Sequence, residues 1–456
     1  MKNLERKTKI LITMGPSVEN KLKDAVKLID GIRFNMSHTN VEYIKKYLNI
    51  LEKNNIAKLM DLKGNKIRIK KTFKSVFKTG DELVIGRDII LTYHPKDETE
   101  EEHFILINDG RIKLKVKKVE NDLIYTEVLV GGIIKEGMGV NLPDTHLKMP
   151  IISDEDINNI KFAVEHDFEY IALSFVRNKN DIINLRDILN RYDKNNATSI
   201  IAKIETKEGL KNIEEIAKYS DGIMVARGDL GVEIPIEYIP IEQKNIINIT
   251  NKKGKLTITA TQMLDSMVSN PYPTRAEITD IANAIFDGTD CLMLSNETAV
   301  GKYPIEAINV MDKVARISEN NMEKFAVETH LDGSSISTGI AHATHTLYLK
   351  LNPKIIITPT WSGKSATLIS KFKPKVPIIA LTPNMKTFKK LKLVWGVVPY
   401  HVDEVNNMDN ILEISNKIAE SFIDKGIYIT TLGHPMGEKK TNVIKVGVIN
   451  DSCKRN

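Results

Sequence analysis

Eight short apolar runs, each ending in a polar tip, constrain the fold of this chain more than any other feature. They are residues 9–13, 31–35, 56–61, 168–174, 199–204, 221–226, 256–260 and 290–294. Segments of helical period lie between them, at residues 22–29, 154–165, 208–218, 275–287 and 304–317. Ser153 precedes one of these segments as the expected helix N-cap. Eight strands alternating with helices predict a parallel (β/α)₈ barrel of the TIM type.

Two stretches depart from this alternation. Gly-punctuated segments of period two follow residue 61, at residues 81–86, 104–108, 113–119 and 124–130, and predict an inserted small β-barrel domain. Strands at residues 354–358, 377–381, 396–401, 426–430 and 443–448 alternate with helical patterns and predict a C-terminal open α/β domain. The predicted domains are the barrel at 1–63 and 153–322, the insert at 64–152 and the C-terminal domain at 323–456.

Composition excludes some classes of protein. No apolar stretch approaches the roughly 18 residues that cross a bilayer, and the charged first residues do not predict a signal peptide. Cys291 and Cys453 show no metal-ligand spacing, which is typical of a reduced, cytoplasmic protein. The net charge of +6 is spread along the chain. It suits anionic small substrates as well as nucleic acid, so the charge alone decides nothing. We expect neither nucleic acid nor a membrane as a partner.

Polar side chains gather at the ends of the predicted barrel strands, where barrel enzymes place their chemistry. Side chains two residues apart in a strand point the same way. The tips are Arg33, Asn35 and Ser37, then Asp61, Ser174, Lys203 and Glu205, then Arg227 and Asp229, Thr259 and Thr261, and Ser295 and Glu297. We expect most of them to face a single mouth.

Two of these tips, Glu205 and Asp229, are carboxylates on neighbouring strands. Hard oxygen ligands with room for water and substrate suit Mg²⁺, with Mn²⁺ as the alternative. Lys203 adds a positive charge, and Gly228 and Gly231 allow backbone amides to approach an anion. A divalent metal, a cation and close positioning are the requirements of phosphoryl transfer. The alternative is that these charges pair with one another around the barrel rim.

The chain resembles the pyruvate kinases from about residue 6 to residue 448. The most specific motifs are DGIMVARGDLGVEIP at 221–235, ATQMLDSM at 260–267 and NPYPTRAE at 270–277. The resemblance implies a barrel, an inserted β domain that closes as a lid and a C-terminal regulatory α/β domain. It also implies transfer of the phosphoryl group of phosphoenolpyruvate to ADP, giving pyruvate and ATP in the last step of glycolysis.

The resemblance also implies roles for individual residues. Glu205 and Asp229 would bind Mg²⁺, and Lys203 would stabilise the phosphoryl group in flight. Arg33 would hold the substrate phosphate, and Gly228, Asp229 and Thr261 its carboxylate. Thr261 and Ser295 would lie where the enolate is protonated. The nucleotide would face Asn35, Met36, Ser37, His38 and Arg68, with Asp109 closing over it from the lid, although the Asp109-Gly110 pair also predicts a hairpin turn.

Several positions depart from the commonest family pattern. Lys66 stands where K⁺-dependent members usually have Glu, and Leu62, Lys66 and Ile69 resemble the K⁺-independent, bacterial and archaeal branch. A tethered ammonium would then replace the monovalent cation, so K⁺ is not an expected cofactor; the alternative is that Lys66 points to solvent. Asn296, Val300 and Met138 also differ from the family pattern. These differences affect the expected nucleotide contacts, not the metal and phosphoenolpyruvate site.

The C-terminal domain carries a second motif, Thr358 to Ser365, which follows a strand and opens a helix. By resemblance it is the phosphate loop of an allosteric effector, formed by Thr360, Ser362, Gly363, Lys364 and Ser365. The alternative is an ordinary capping turn. The later loop at 433–442 resembles bacterial and archaeal forms, and its Lys439 and Lys440 are candidates for a second anion contact.

Two other functions compete with this one. A different Mg²⁺-dependent barrel enzyme of enolpyruvate chemistry, a lyase or aldolase, would use the same carboxylates but need neither extra domain. A non-catalytic sensor of the same fold would explain Asn296, Val300 and Met138, but not an intact Lys203, Glu205, Asp229 and Thr261. The resemblance further implies a homotetramer.

Overall fold

The computed structural model describes residues 6–195, 197–325, 329–404, 407–433 and 441–450. Its centre is a closed, parallel, eight-stranded barrel in which neighbouring strands follow one another around the ring. The strands are Lys9–Thr13, Gly31–Asn35, Ala57–Asp61, Tyr170–Leu173, Ser199–Ile204, Gly222–Ala226, Leu256–Ala260 and Cys291–Leu294. The predicted barrel is therefore confirmed, and its strand boundaries shift by at most two residues.

Helices surround the barrel. They are Pro16–Glu19, Leu22–Ala25, Val41–Lys45, Leu48–Lys53, Asp154–Glu165, Lys179–Tyr192, Lys207–Lys211, Ile213–Tyr219, Arg227–Glu233, Ile239–Lys252, Arg275–Phe286, Asn296–Ala299, Pro304–Glu319 and Met322–Phe325, with 3₁₀ turns at Ile236–Tyr238 and Asp265–Val268. Ser153 caps its helix as predicted, and Asp156 completes a capping box.

One predicted helix is divided. The segment 208–218 forms two helices that meet at Asn212. The side-chain amide of Asn212 donates a hydrogen bond of 2.9 Å to the carbonyl oxygen of Arg177. This contact ties the junction of the two helices to a neighbouring loop, and hydrophobic period alone does not reveal the break.

The insert is a sheet of seven strands whose first and last strands approach each other. The strands are Ile69–Thr72, Glu82–Ile85, Ile89–Leu91, Phe104–Ile107, Ile112–Glu120, Leu123–Val130 and Val140–Asn141; Val76–Phe77 and Gly132–Ile133 form a separate pair. An antiparallel bridge between Arg68 and Gly139 joins the two edges and nearly closes the sheet into a barrel. The insert has a hydrophobic core of its own.

The C-terminal part is a five-stranded sheet flanked by helices. Its strands are Ile355–Pro359, Ile378–Thr382, Val397–His401, Gly426–Leu432 and Val443–Ile449, and its helices are Ile336–Leu351, Lys364–Ser370, Met385–Leu391 and Met408–Phe422. Strand Val443–Ile449 is antiparallel to its neighbour. One hydrophobic cluster joins this part to the barrel, with Leu11 and Ile201 on one side and Leu368 and Leu393 on the other. Among the described helices, none has the length and apolarity to cross a membrane.

Candidate active site

Four charged side chains form one continuous network at the carboxyl ends of the barrel strands. Arg33 contacts Asp61 Oδ2 through Nε at 2.7 Å and Nη2 at 2.5 Å. The Lys203 ammonium lies 3.2 Å from Asp61 Oδ1 and 2.9 Å from Glu205 Oε1. Ser174 Oγ accepts a hydrogen bond from Lys203 Nζ at 2.8 Å. The tips of the second, third, fourth and fifth strands therefore meet at one place.

Burial makes the charges of this network depend on one another. Asp61 and Glu205 are each only 1% exposed. Burial alone would raise the pKa of Asp61, but Lys203 and Arg33 outweigh it and hold that pKa below its usual value. Burial opposes the charge of Lys203, yet Asp61 and Glu205 raise its pKa. The two carboxylates thus favour the charged form of the Lys203 ammonium at the mouth of the barrel.

Glu205 and Asp229, the two predicted metal ligands, lie near enough for their charges to repel one another. Burial raises the pKa of Glu205, and Asp229 and Asp61 add to the effect through charge repulsion. Of the described residues, no group of three or more His, Cys, Asp or Glu side chains could hold a metal. Two hard carboxylates, with waters and substrate oxygens completing the shell, are what Mg²⁺ accepts. The residues therefore fit Mg²⁺, which would also relieve the repulsion around Glu205.

Thr261 has an unusual backbone conformation at the end of the seventh strand. Its φ is +69°, and Gln262 follows at +54°. A β-branched residue with positive φ is strained, and such strain concentrates at functional sites. Thr261 Oγ1 accepts a hydrogen bond from the Gly228 amide at 2.9 Å. A Cβ at Gly228 would lie 3.6 Å from that oxygen, an ordinary contact, so internal packing does not require glycine there.

Ser295 and Glu297 have different surroundings at the eighth strand. Ser295 Oγ is buried without a hydrogen-bond partner among the described residues. Glu297 accepts bonds from the amides of Ser295 at 2.7 Å and Leu264 at 3.0 Å, and burial raises its pKa. Glu297 therefore holds two loops of the mouth together, while the buried Ser295 hydroxyl has no hydrogen-bond partner among the described residues.

Two predicted tips do not join the network. Arg227 binds Asp280 at 2.7 Å and the carbonyl oxygen of Thr261 at 2.6 Å. Thr259 Oγ1 bonds to Thr289 Oγ1 at 3.0 Å. The pairing alternative raised from the sequence is therefore correct for Arg227. Arg227 still lines a cavity with Gly228, Asp229 and Asp109, so only the expectation that Thr259 faces the mouth is wrong.

Residues 35–38 form a turn directly after the second strand. Asn35 Oδ1 accepts the Ser37 amide at 3.1 Å, and the Met36 amide bonds to the Asp61 carbonyl oxygen at 2.9 Å. Met36 is buried, whereas Ser37 is exposed. On the insert, Arg68 donates to the Gly137 carbonyl oxygen at 2.9 Å. These contacts set the backbone of the predicted nucleotide residues, His38 included.

The insert reaches the mouth through Lys66 and Asp109. Lys66 Nζ lies 3.2 Å from Asp229 Oδ1 and 4.0 Å from Asp109 Oδ1, above the ring of Phe175. Only 16% of the Lys66 side chain is exposed, so the solvent-pointing alternative is wrong. A Cβ at Gly139 would meet Lys66 Cε at 2.9 Å, so glycine leaves room for this lysine.

Asp109 also forms the predicted turn. Asn108 and Asp109 both have positive φ and join strands Phe104–Ile107 and Ile112–Glu120 of a hairpin. The Asp109 side chain is 70% exposed, and its carboxylate faces Lys66. The turn interpretation is therefore confirmed, and Asp109 also contributes charge to the mouth; its closing over the nucleotide stays a prediction.

The predicted effector loop lines a cavity of about 410 Å³, whose wall also includes Asn195 and Ala197 of the barrel. Thr360, Ser362, Lys364 and Ser365 contribute to its wall, together with Lys386 and Lys390. Gly363 has φ +83°, and its amide donates to Thr360 Oγ1 at 3.0 Å. The hydroxyls of Ser365 and Thr441 are in contact. Residues 434–440, with Lys439 and Lys440, lie outside the described residues.

Sequence reasoning did not recognise two parts of this site. Asp61 was noted as a strand end, but not as the carboxylate that holds Arg33 and Lys203 together. Asn141 of the insert donates a hydrogen bond of 2.7 Å to Glu233 Oε1 on the helix that carries Asp229. The second contact could have been suspected from the sequence, because Asn141 is a polar residue between apolar neighbours at the end of a strand.

Comparisons with known proteins agree with this geometry. The family model described as the pyruvate kinase barrel domain matches residues 5–308, and that of the pyruvate kinase alpha/beta domain matches residues 338–447.

Three relatives are named pyruvate kinase. One from Methanocaldococcus jannaschii is 60% identical over 98% of this chain and 99% of its own length. One from Thermotoga maritima is 42% identical over 97% and 99%, and one from Geobacillus stearothermophilus is 40% identical over 98% and 81%. With two matching family models and these full-length relatives, the chain belongs to the pyruvate kinase family of phosphotransferases.

Proposed function

We propose that the chain transfers the phosphoryl group of phosphoenolpyruvate to ADP, with Mg²⁺ held by Glu205 and Asp229 and without a need for K⁺. Mn²⁺ is the alternative metal. The observation that carries this proposal is the Arg33–Asp61–Lys203–Glu205 network, which brings two cations and two carboxylates to one barrel mouth. Membership of the family supplies the reaction class.

The residues divide the chemistry among them. Arg33 binds the substrate phosphate, because Asp61 fixes its guanidinium plane from one side. Lys203 stabilises the charge on the transferring group, since its ammonium is held at the mouth by carboxylates. The bound metal supplies charge neutralisation between substrate and nucleotide. The Gly228 amide, Asp229 and Thr261 orient the substrate carboxylate.

Transfer breaks the bond between phosphorus and the enol oxygen and forms one to the terminal oxygen of ADP. The remaining enolate takes a proton at carbon and becomes pyruvate. Thr261 already donates its hydroxyl to the Ala260 carbonyl oxygen at 2.6 Å, whereas Ser295 Oγ has no internal partner among the described residues. We therefore assign Ser295 to the water that delivers the proton, and Thr261 to positioning.

The nucleotide contacts follow from the same mouth. Asn35, Ser37 and His38 face it from the end of the second strand, with Met36 contributing only its backbone, and Arg68 and Asp109 approach it from the insert. The insert then acts as the lid predicted from the sequence, at residues 64–152 between barrel segments 1–63 and 153–322. We also propose a cytoplasmic homotetramer, on the family resemblance.

The proposal of K⁺ independence rests on the position of Lys66. Its ammonium already lies between Asp229 and Asp109, so one positive charge is built into this part of the mouth. In tetramethylammonium salts, adding K⁺ should change the rate of pyruvate formation less than about twofold. Lys66→Glu removes this charge and adds a carboxylate, so it should become K⁺-activated by about tenfold, which corresponds to about 1.4 kcal/mol.

Lys63→Glu is the matched control for this assay. Lys63 is partly exposed and pairs with Glu155 at 3.3 Å, away from Asp229. It carries the same charge reversal and should leave the K⁺ response unchanged. A large rise in the rate of the unaltered enzyme on adding K⁺ would contradict the proposal. ADP-independent pyruvate formation would favour a lyase or aldolase instead, and an absence of any activity would favour the sensor.

We also propose that the 410 Å³ cavity binds a phosphorylated allosteric effector at Thr360, Ser362, Gly363, Lys364 and Ser365. Three lysines, Lys364, Lys386 and Lys390, line this cavity, and no carboxylate lies among its described lining residues. Hydroxyls and ammonium groups around a cavity of this size suit a phosphate ester. Ser365→Glu should abolish activation by such a compound.

A further inference from the structure

A second cavity lies behind the effector loop, between the amino-terminal end of the barrel and the C-terminal domain. Its volume is about 570 Å³, within the usual range for a small-molecule site. The barrel contributes Arg186 and Lys255 to its wall, and the C-terminal domain contributes Lys364, Thr367 and Lys390. Of these, Arg186, Lys255 and Thr367 line this cavity and not the first.

The charges around this cavity are unbalanced. Arg186 pairs with Asp221 at 2.5 Å. Lys253, also on the wall, is neutralised by Glu214 and Asp332, both at 2.9 Å.

Three other cations remain on the wall. Lys255, Lys364 and Lys390 have no carboxylate within 4.0 Å among the described residues. Lys255 Nζ bonds instead to the carbonyl oxygen of Ser220 at 2.5 Å. The cavity therefore holds three positive charges that the described part of the protein does not itself neutralise.

Burial makes this excess unfavourable when the cavity is empty. It lowers the pKa of Lys390 to about 8, with Lys386 and Arg186 adding repulsion against the opposing effect of Asp221 and Asp193. Burial also lowers the pKa of Lys255, which faces Asp221, Arg186 and Lys364. An anion placed between these groups would regain the interaction that water no longer supplies.

The geometry points to a second anion site: this cavity binds a phosphorylated small molecule, with its phosphate between Lys255 of the barrel and Lys364 and Lys390 of the C-terminal domain. Such a ligand contacts both domains at once. It shares Lys364 and Lys390 with the effector cavity, so occupancy of one site alters the affinity of the other. The inference stands whether or not the first cavity takes an effector, because Lys255 and Thr367 belong to the second alone.

Equilibrium dialysis of the full-length protein with labelled pyrophosphate, in EDTA, counts the sites. The variants Lys255→Met and Thr367→Glu alter the second cavity from its two walls, so a folding defect in one leaves the other as a test. Ser365→Glu alters the first cavity. Lys211→Met removes an exposed lysine that lines neither cavity, and it controls for the loss of net charge. Thermal unfolding without ligand checks that each variant is folded.

We expect Lys255→Met and Thr367→Glu each to bind one pyrophosphate fewer per chain than the unaltered protein and Lys211→Met. Adding Ser365→Glu to Lys255→Met should remove a further pyrophosphate if the first cavity also binds, and nothing more if it does not. Full stoichiometry in both folded second-cavity variants would overturn the inference. The inference would also be overturned if Ser365→Glu and Lys255→Met each lost one pyrophosphate per chain and the double variant lost no more than either. A single shared site would then explain both losses.

Discussion

The barrel meets its two neighbouring domains in different ways. At the C-terminal domain, Asp290 of the barrel pairs with Lys371 and, at 2.7 Å, with Lys373; Asp290 and Lys371 are fully buried. At the insert, Lys207 pairs with Asp144 at 2.6 Å, and more than half of the lysine side chain is exposed. Hydrophobic packing follows the same division, since one cluster spans the first junction and the insert keeps a separate core.

This difference indicates which domain can move. Exposed ion pairs contribute little and form or break readily in water, whereas buried pairs cannot separate without leaving an uncompensated charge. The insert therefore suits a lid that opens and closes over the mouth. The C-terminal domain is fixed to the barrel, so a ligand between the two adds to a rigid junction rather than creating one.

Asp290→Asn should have the largest effect, because it leaves Lys371 and Lys373 buried without a carboxylate. We expect the free energy of unfolding to fall by about 3–5 kcal/mol, measured by urea denaturation. The matched change at the lid, Asp144→Asn, should lower it by less than about 1 kcal/mol. Equal losses in the two variants would remove the distinction between the junctions.

Glu169→Gln should change the pH dependence of stability at the C-terminal junction. Burial raises the pKa of Glu169 to about 7, against the opposing charges of Lys58 and Lys389. The native protein then binds more protons than the unfolded chain between pH of about 4.5 and 7, so the free energy of unfolding falls as the pH rises through this window. The variant lacks this decline and should be more stable at pH 8 by about 1–3 kcal/mol.

Urea denaturation at several pH values measures this effect. Glu169 Oε2 accepts a hydrogen bond from the Lys58 amide at 2.6 Å. The amide oxygen that Glu169→Gln introduces can accept the same bond, so packing should be preserved. Parallel pH profiles for the variant and the unaltered protein would show that Glu169 is ionised in the native state.

Asn141→Ala should have the smallest effect on stability and a visible one on activity. The Asn141–Glu233 hydrogen bond is a partly buried contact of the lid with the helix that carries Asp229. Its loss should lower kcat/KM for ADP by about tenfold, the equivalent of one hydrogen bond to a charged group. Glu233→Gln keeps a hydrogen-bond acceptor and should lose less. A fall in stability as large as that of Asp290→Asn would show a structural role instead.

The sequence predicted the barrel well because buried parallel strands are nearly continuous apolar runs, which leave little doubt about number or order. It predicted Lys203 and Glu205 because their strand continues straight to its tip. It did not predict the pairing of Arg227 with Asp280, because the chain begins a helix at Arg227 and side chains two residues apart then diverge.

It failed for Thr259 for a related reason. The positive φ of Thr261 ends the regular alternation, so the two threonines do not share a direction. The bridging role of Asp61 between Arg33 and Lys203 depends on the second to fifth strands lying side by side, which spacing along one strand does not encode.

The most direct test of the account is the rate of pyruvate formation by Lys203→Met with phosphoenolpyruvate, ADP and Mg²⁺. Because Lys203 acts on the charge that develops during transfer, kcat should fall by at least about a hundredfold while the KM for phosphoenolpyruvate changes far less. A variant that retains more than about a tenth of the unaltered kcat would contradict the assignment of this network as the centre of phosphoryl transfer.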